Sequence, residues 1–418
     1  SADPSEPEAY AELKTRLEEI DRTIDNPHNY LYYLATPPLL YGVIPRHLKA
    51  EGLNREGDGF RRIVVEKPFG YDLSSALELN RIYLDAFREE QIYRIDHFLG
   101  KETVQNILAL RFANSVFEPL WNRNYIDYVE ITAVENMGIG TRGGFYDGVG
   151  TLRDMVQNHL AQLLAVTAME PPAAFDASGF RNEVVKVYQS LTPLTGEDIR
   201  HSVVRGQYMA SEGRKGYREE EQVPALSRTE TYLAMRLELN NWRWGGVPFY
   251  IRTGKQMPTK VSEIVIHFKP APYSLFRCEG GTCPVPNRLV IRIQPNEGIV
   301  LRLGMKKPGE GFEVLPMDMD FSYAELGRLP TEDAYARLIE DCIAGDPTLF
   351  IRSDAVESGW RFFDPILKYW QDVPECPLYG YPAGSWGPLE ADSLVARQGA
   401  SWTNPCKNLT NTHLYCEL

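Results

Sequence analysis

Residues 91–102 read QIYRIDHFLGKE, and the polar members Asp96, His97 and Lys101 stand where an apolar run is ending. A carboxylate near an imidazole can orient the ring and stabilise its protonated form, which is what general acid–base chemistry needs. A histidine and a lysine a few residues apart are donors suited to an anion such as phosphate. Another charged group, Lys67, follows the apolar run in IVVEKPFG. His159 is a further candidate, set in TLRDMVQNHLAQLLAVTAM among Leu152, Met155, Val156, Leu160, Leu163 and Leu164, which recur at helical spacing. On an α-helix Asp154 would lie about 140° around the axis from His159. Either His159 fills a core position, or it is a base whose carboxylate comes from another element.

The elements that must hold these groups follow from periodicity. YAELKTRLEEIDRTI repeats Tyr10, Leu13, Leu17, Ile20 and Ile24 at helical spacing, giving an amphipathic helix. NYLYYLATPP is a short aromatic and apolar strand stopped by Pro37 and Pro38. RRIVVEKPFG, SSALELNRIYLDAF and IYRIDHF then read as strand, helix and strand, the helix opened by a capping box of Ser75 and Glu78. That order predicts a right-handed βαβ unit in a parallel sheet. Ligands of such sheets bind at the carboxyl ends of the strands, where Lys67, Asp96 and His97 fall. These residues either form a site or pair their charges to close a loop.

GIGTRG spells G-x-G-x-x-G with Gly138, Gly140 and Gly143, but it leads into GFYDGVG. A phosphate loop must open directly into a helix, so a glycine-rich surface segment is expected. From about residue 230 the segments TYLAMRLELNN, GVPFYIRTGK, SEIVIHFK, NRLVIRIQPNEGIVLRLG and DMDFSYAE alternate with a period of two, predicting a large antiparallel sheet. Helices return at DAYARLIEDCIAGD and AVESGWRFFDPILKYW. The fold class is therefore α/β plus α+β, a partial Rossmann-type parallel sheet followed by a large antiparallel sheet domain with helices.

With 418 residues, 43% of them hydrophobic, the chain can build two or three domains. Its net charge of −13 argues against nucleic acid and anionic membranes as partners, so an anionic ligand needs a local basic pocket. No apolar run approaches the roughly 18 residues of a membrane span, and SADPSEPEAY has no signal-peptide character. Cys278, Cys283, Cys342, Cys376, Cys406 and Cys416 are sparse, and CEGGTC lacks zinc-knuckle spacing. Reduced thiols, no metal, a cytoplasmic location and an unused sequon at Asn408 are expected.

Six motifs, IVVEKPFG, YRIDHFLGKE, RDMVQNHL, GVPFYIRTGK, VIRIQPNE and DAYARLI, resemble those of the glucose-6-phosphate dehydrogenase family in order and approximate spacing, from about residue 30 to 400. The resemblance implies an NADP-dependent oxidoreductase acting on glucose 6-phosphate at C1, with His159 as general base and Asp96 holding its imidazole. It implies that His97 and Lys101 grip the 6-phosphate with Lys260. Phe98 stands in that phosphate motif. Glu135, Asp154, Lys255 and Gln294 meet sugar hydroxyls or complete the pocket. Lys67 lies between coenzyme and substrate with its bond to Pro68 cis, and Tyr41 flanks the nicotinamide. It further implies a coenzyme domain over 1–97, a β+α substrate-binding and oligomerisation domain over 98–418, and a homodimer or homotetramer through the large sheet.

The sequence departs from the family pattern at three places. No G-x-x-G-D-L-A loop is present, so the coenzyme domain is expected to lack its first βαβ unit. Phe98 replaces a phenol that would donate to phosphate. Arg252 and Arg292 match the pattern of a second, structural NADP site, whereas Val261 and Val265 stand where basic residues are expected. The alternatives are a non-catalytic assembly or regulatory partner, or a sugar-phosphate isomerase or hydrolase using the same histidine and lysines.

Overall fold

A computed structural model describes residues 3–24, 28–273, 275–278, 286–309, 311–323, 333–396 and 400–405. Cys283, Cys406, Cys416 and the sequon at Asn408 lie outside the described residues. Cys342 and Cys376 are free and buried. Among the described residues no helix is long and apolar enough to cross a membrane.

The chain divides into two compact units, the first formed by Ser1–Gly100, Met169–Gln189 and Glu332–Asp364. It opens with helix α1 (Glu8–Ile24), strand β1 (Tyr30–Leu34) and helix α2 (Ile44–Ala50), and continues through β2 (Arg61–Val65), α3 (Leu73–Ala86) and β3 (Ile92–Arg94). The three strands form a parallel sheet in the order β1-β2-β3. Ile63, Val64, Val65, Ile92 and Tyr93 are almost wholly buried, as strands covered on both faces require.

The α1 stripe is helical as expected but mostly open, because Tyr10 is buried while Leu13, Ile20 and Ile24 are exposed. Helix α3 starts earlier than the Ser75–Glu78 box predicted. Asp72 is the cap, its carboxylate accepting the Ser75 N–H at 2.7 Å, and Ser75 Oγ accepts the Asp72 N–H at 3.1 Å. Serine thus serves as the reciprocal partner one turn into the helix. The last of the unit's three segments is bonded to this sheet and its helix. Asn80 donates to Ser353 O and Glu357 Oε1 at 3.1 Å, and Trp360 Nε1 donates to Phe69 O at 3.1 Å. Buried Arg94 pairs with Glu89 at 2.7 Å; its carbonyl accepts the Ile351 N–H at 3.2 Å and its guanidinium donates to Ile351 O at 3.3 Å.

The second unit comprises Lys101–Ala168, Ser190–Thr331 and Pro365–Leu418. Its strands are β4 (Ile126–Val134), β5 (Val203–Met209), β6 (Tyr232–Glu238), β7 (Pro248–Gly254), β8 (Val261–Phe268), β9 (Arg277–Cys278), β10 (Arg288–Gln294), β11 (Gly298–Lys306), β12 (Glu313–Ser322) and β13 (Tyr379–Pro382). They form one sheet, in the order β13-β5-β6-β7-β4-β8-β10-β11-β12-β9. Most neighbours are antiparallel, as the alternation predicted, but β4 pairs with β7, β5 with β13 and β12 with β9 in parallel. Residues opposite one another share a face, and the register places Val129, Ile131, Phe249, Ile251, Ile264, Ile266, Leu289 and Ile291 together, all buried. Each contributes about 1.5–3 kcal/mol relative to exposure. Helix α4 (Glu102–Phe112) packs on β10, and the helical segment from residue 152 packs on β4 and β7. The opposite face carries Glu130, Arg252, Glu263 and His267.

The GIGTRG segment differs from expectation. It runs through a short turn into helix α5 (Gly143–Thr151) rather than remaining irregular. Its glycines make room for protein: a Cβ on Gly143 would lie 2.0 Å from Glu221 O. The acidic segment at 219–221 thus crowds the helix start with oxygen, which opposes a phosphate there.

Candidate active site

Asp96 follows β3 in a turn that the chain closes on itself. Its Oδ1 accepts the Phe98 N–H at 3.0 Å and its carbonyl accepts the Leu99 N–H at 3.0 Å, an Asx-type turn. Asp96 is 2% exposed, and the Phe98 N–H holds its carboxylate before any ligand arrives. Phe98 is buried. The half-buried His97 ring lies 5.1 Å from Phe98 and stacks on Tyr335 at 5.9 Å, with the planes 13° apart. Burial raises the Tyr335 phenol, helped by Glu66 and Asp96, and its hydroxyl is bonded to Glu66.

Lys67 comes directly after Glu66 at the end of β2, and its bond to Pro68 is cis. Tyr41 is fully buried, its phenol pushed up to about 12 by desolvation. At the end of β1 the buried Thr36 Oγ1 has no hydrogen-bond partner among the described residues. Sequence reasoning gave no role to Thr36, Tyr335 or Tyr188. Burial, and then the charge of Asp96, holds the Tyr188 phenol well above its ordinary range. Tyr335 lay in a quoted motif, but only the return of residues 332–364 to this unit brings it beside His97.

In the second unit α5 passes into a π-helix (Leu152–Leu160), followed by α6 (Ala161–Ala168). The Ala161 N–H donates to Val156 O, five residues back. This changes the expected relation of Asp154 to His159: in an i→i+5 ladder, residues five apart stand about one turn above each other. His159 is 1% exposed and Asp154 is partly open.

Lys255, at the end of β7 and 4% exposed, donates to Asp154 Oδ2 at 3.3 Å and to Glu135 Oε2. Its ammonium also lies 5.3 Å from the centre of the Tyr146 ring. Burial, together with Asp154, raises the Tyr146 phenol well above its usual range, so it stays a neutral donor. Lys101 donates to Gln294 Oε1 at 2.6 Å, and Gln294 Nε2 donates to Ser262 Oγ at 2.9 Å. Lys260 is exposed. Gln157, two residues before His159, has a buried Oε1 without a partner among the described residues.

The structure thus brings Glu135, Asp154 and Lys255 together, and likewise Lys101 with Gln294 and His97 with Phe98. Asp96, His97, Lys67 and Tyr41 belong to the first unit, whereas His159 and the Lys255 cluster belong to the second.

A parallel βαβ sheet with charged strand ends, followed by a large mixed sheet bearing a lysine held by two carboxylates, defines a two-unit α/β plus α+β architecture. Residues 1–106 match the family model described as the NAD binding domain of glucose-6-phosphate dehydrogenase, and residues 108–403 match its C-terminal domain. The glucose-6-phosphate 1-dehydrogenase of Aggregatibacter actinomycetemcomitans is 54% identical over 400 residues, covering 95% of this chain and 80% of that protein. That of Treponema pallidum is 49% identical over 423 residues, covering 100% and 82%. Among solved structures, a glucose-6-phosphate dehydrogenase in complex with its substrate glucose 6-phosphate superposes with a TM-score of 0.88 at 35% identity, covering 97% of this chain and 82% of that one. The Mycobacterium avium enzyme gives 0.79 at 37% identity. The chain belongs to the glucose-6-phosphate dehydrogenase family.

Proposed function

We infer that this chain oxidises glucose 6-phosphate at C1 to 6-phosphoglucono-δ-lactone, with hydride passing to NADP+, the first step of the oxidative pentose phosphate pathway. The observation that carries this reading is the 54% identity with a glucose-6-phosphate 1-dehydrogenase across 95% of the chain, in which the motifs bearing Asp96, His97, Lys101 and His159 are present in order.

His159 takes the proton of the C1 hydroxyl, and Asp96 orients and stabilises the resulting imidazolium. Burial of both side chains supports these roles, since a base kept from water strengthens its coupling to a carboxylate. His97, Lys101 and Lys260 hold the phosphate, where charge-assisted hydrogen bonds contribute about 1.5–3 kcal/mol each. Phe98 supplies no hydroxyl to the phosphate. Glu135, Asp154, Lys255 and Gln294 define the polar wall for the sugar hydroxyls.

NADP+ accepts the hydride when bound. The orphaned Thr36 hydroxyl at the end of β1, with Lys67 and Pro68 after β2 and the buried Tyr41, fits the nicotinamide and ribose end of that coenzyme. None of the βα turns described in the first unit is glycine-rich, so these residues do not account for the pyrophosphate. The first unit supplies the coenzyme contacts, and the second carries the subunit contact.

The contact is a homodimer or homotetramer through the large sheet. On β11 and β12 one face shows Leu301, Leu303, Met305, Met317, Met319 and Phe321, several of them strongly exposed. The other face is a ladder of Arg302 with Asp318 and Arg292 with Asp320. An apolar sheet face of this kind fits a second copy of the chain. A cytoplasmic location, with neither nucleic acid nor membrane as partner, accords with the acidic charge.

The test is absorbance at 340 nm with glucose 6-phosphate and NADP+, in the full-length wild type and His159→Asn. The wild type should raise it, and the variant should lose on the order of 10²–10⁴-fold in kcat with KM little changed. Absence of NADPH formation by the wild type would refute the function. A variant keeping more than about a tenth of kcat would refute the role of His159.

A further inference from the structure

Among the buried ionisable groups with no part in the chemistry above, Glu230 has the most specific connections to the proposed site. It is 5% exposed, just before β6, and its two ends hold different parts of the second unit. Its Oε1 accepts the N–H of Leu152, the first residue of the π-helix, at 3.0 Å. Its carbonyl accepts both the Thr151 N–H at 3.2 Å and the Thr151 hydroxyl at 3.0 Å. Since the threonine proton is thereby used, Tyr146 donates its own hydroxyl to Thr151 Oγ1, 2.7 Å away. The Tyr146 ring in turn lies under the Lys255 ammonium. The next residue continues the connection: the Thr231 carbonyl accepts the Lys255 N–H at 2.9 Å, and Tyr381 donates to Lys255 O at 2.7 Å.

The backbone before the π-helix is shaped around the same carboxylate. Gly150 has φ +73°, and a Cβ there would lie 2.6 Å from Glu230 Oε1. Only glycine meets both requirements. Helix-start N–H groups need acceptors, and here the acceptor is a side chain of the strand segment that also fixes Lys255.

We propose that Glu230 is a positioning residue: it locks the start of the π-helix to the segment bearing Lys255, and so sets the spacing between Asp154 and Lys255 that the sugar phosphate meets. This rests on the reading of that cluster as part of the substrate site. The carboxylate acts as an acceptor, so an amide oxygen should replace it and a methyl group should not.

The experiment compares Glu230→Ala and Glu230→Gln in the full-length enzyme. Steady-state kinetics are measured with both substrates varied, alongside amide hydrogen exchange of the peptide covering residues 151–155. Glu230→Ala should raise KM for glucose 6-phosphate roughly tenfold, the equivalent of one charge-assisted hydrogen bond, leave KM for NADP+ within about twofold, and speed exchange in that peptide. Glu230→Gln should stay near wild type in all three. A purely structural role would lower the active fraction and leave both KM values unchanged, and that result would overturn the proposal. Unaltered exchange in Glu230→Ala, or Glu230→Gln failing as badly as Glu230→Ala, would also overturn it. If Glu230→Ala does not fold, Glu230→Asp withdraws the acceptor by one methylene and carries the same expectations. Should the wild type not turn over glucose 6-phosphate, the functional reading falls, while the exchange comparison, which needs no substrate, still decides whether Glu230 holds the helix start.

Discussion

Lys255→Met tests whether the cluster on the second unit is held by charge or by shape. Methionine keeps much of the apolar stem and removes the ammonium, so packing around Tyr146 is nearly conserved. At 3.3 Å from Asp154, the Coulomb attraction is about 5 kcal/mol at an effective dielectric of about 20. The carboxylates of Asp154 and Glu135 are 22% and 34% exposed, so water recovers part of that attraction on breaking, and a net contribution of about 1.5–3 kcal/mol remains. The variant also leaves Asp154 and Glu135 facing each other without a cation. We expect Lys255→Met to cost about 2–4 kcal/mol in urea unfolding at pH 7. Asp154→Asn alone should cost about 1–2 kcal/mol, and the double variant less than the two together, with a coupling of at least about 1 kcal/mol. Additivity within about 0.5 kcal/mol would mean that the three side chains are neighbours without being partners, and the reasoning would fail.

Two other outcomes follow from the large sheet. Burial, with the Glu130 charge adding, pushes the Glu263 carboxyl up to about 8 while Arg252, Arg288 and Arg292 pull it down. A carboxyl raised above its ordinary 4.5 contributes stability that is complete below that value and is lost as pH rises towards 8, at up to about 1.4 kcal/mol per pH unit. Glu263→Gln should therefore flatten the fall in unfolding midpoint between pH 5 and 8 and be the more stable protein at pH 8; parallel profiles would count against it. For the subunit contact, Met317→Lys with Met319→Lys should shift the sedimentation of the wild-type assembly to that of a monomer. An unchanged sedimentation coefficient would remove the apolar face of β11 and β12 from the contact.

Much of this molecule was legible from periodicity, and the failures have identifiable causes. The strand–helix–strand run to Asp96 and the alternation from residue 230 gave the two sheets because burial imposes periods of two and 3.6. The period did not report which strands run parallel, since β4 and β7 are joined only in space. The stripe on α1 was visible, yet burial of Leu13, Ile20 and Ile24 was not a consequence of it. The π-helix escaped because Leu152, Val156 and Leu160 fit a 3.6 repeat equally well, while the contact of Leu152 with Glu230 at its start exists only in the fold. GIGTRG was set aside as a phosphate loop on the ground that no helix follows it; helix α5 does follow, and it was missed because a run with four glycines carries little propensity of its own. For the candidate site, the motifs offered residues, and the partnerships of Lys255 and Tyr335 required the fold.

The first unit is assembled from three stretches of chain, the last ending at Asp364. Arg62 donates to Cys342 O across 280 positions, and Asn80 reaches Glu357 across 277. During synthesis the parallel sheet is made early but cannot satisfy these groups until most of the chain has left the ribosome. At roughly 5–20 residues per second, that interval is on the order of tens of seconds. Contacts of such long range also slow folding in the free chain. A nascent molecule therefore carries an incomplete first unit while the intervening residues are being made, which makes this region a natural client of a chaperone.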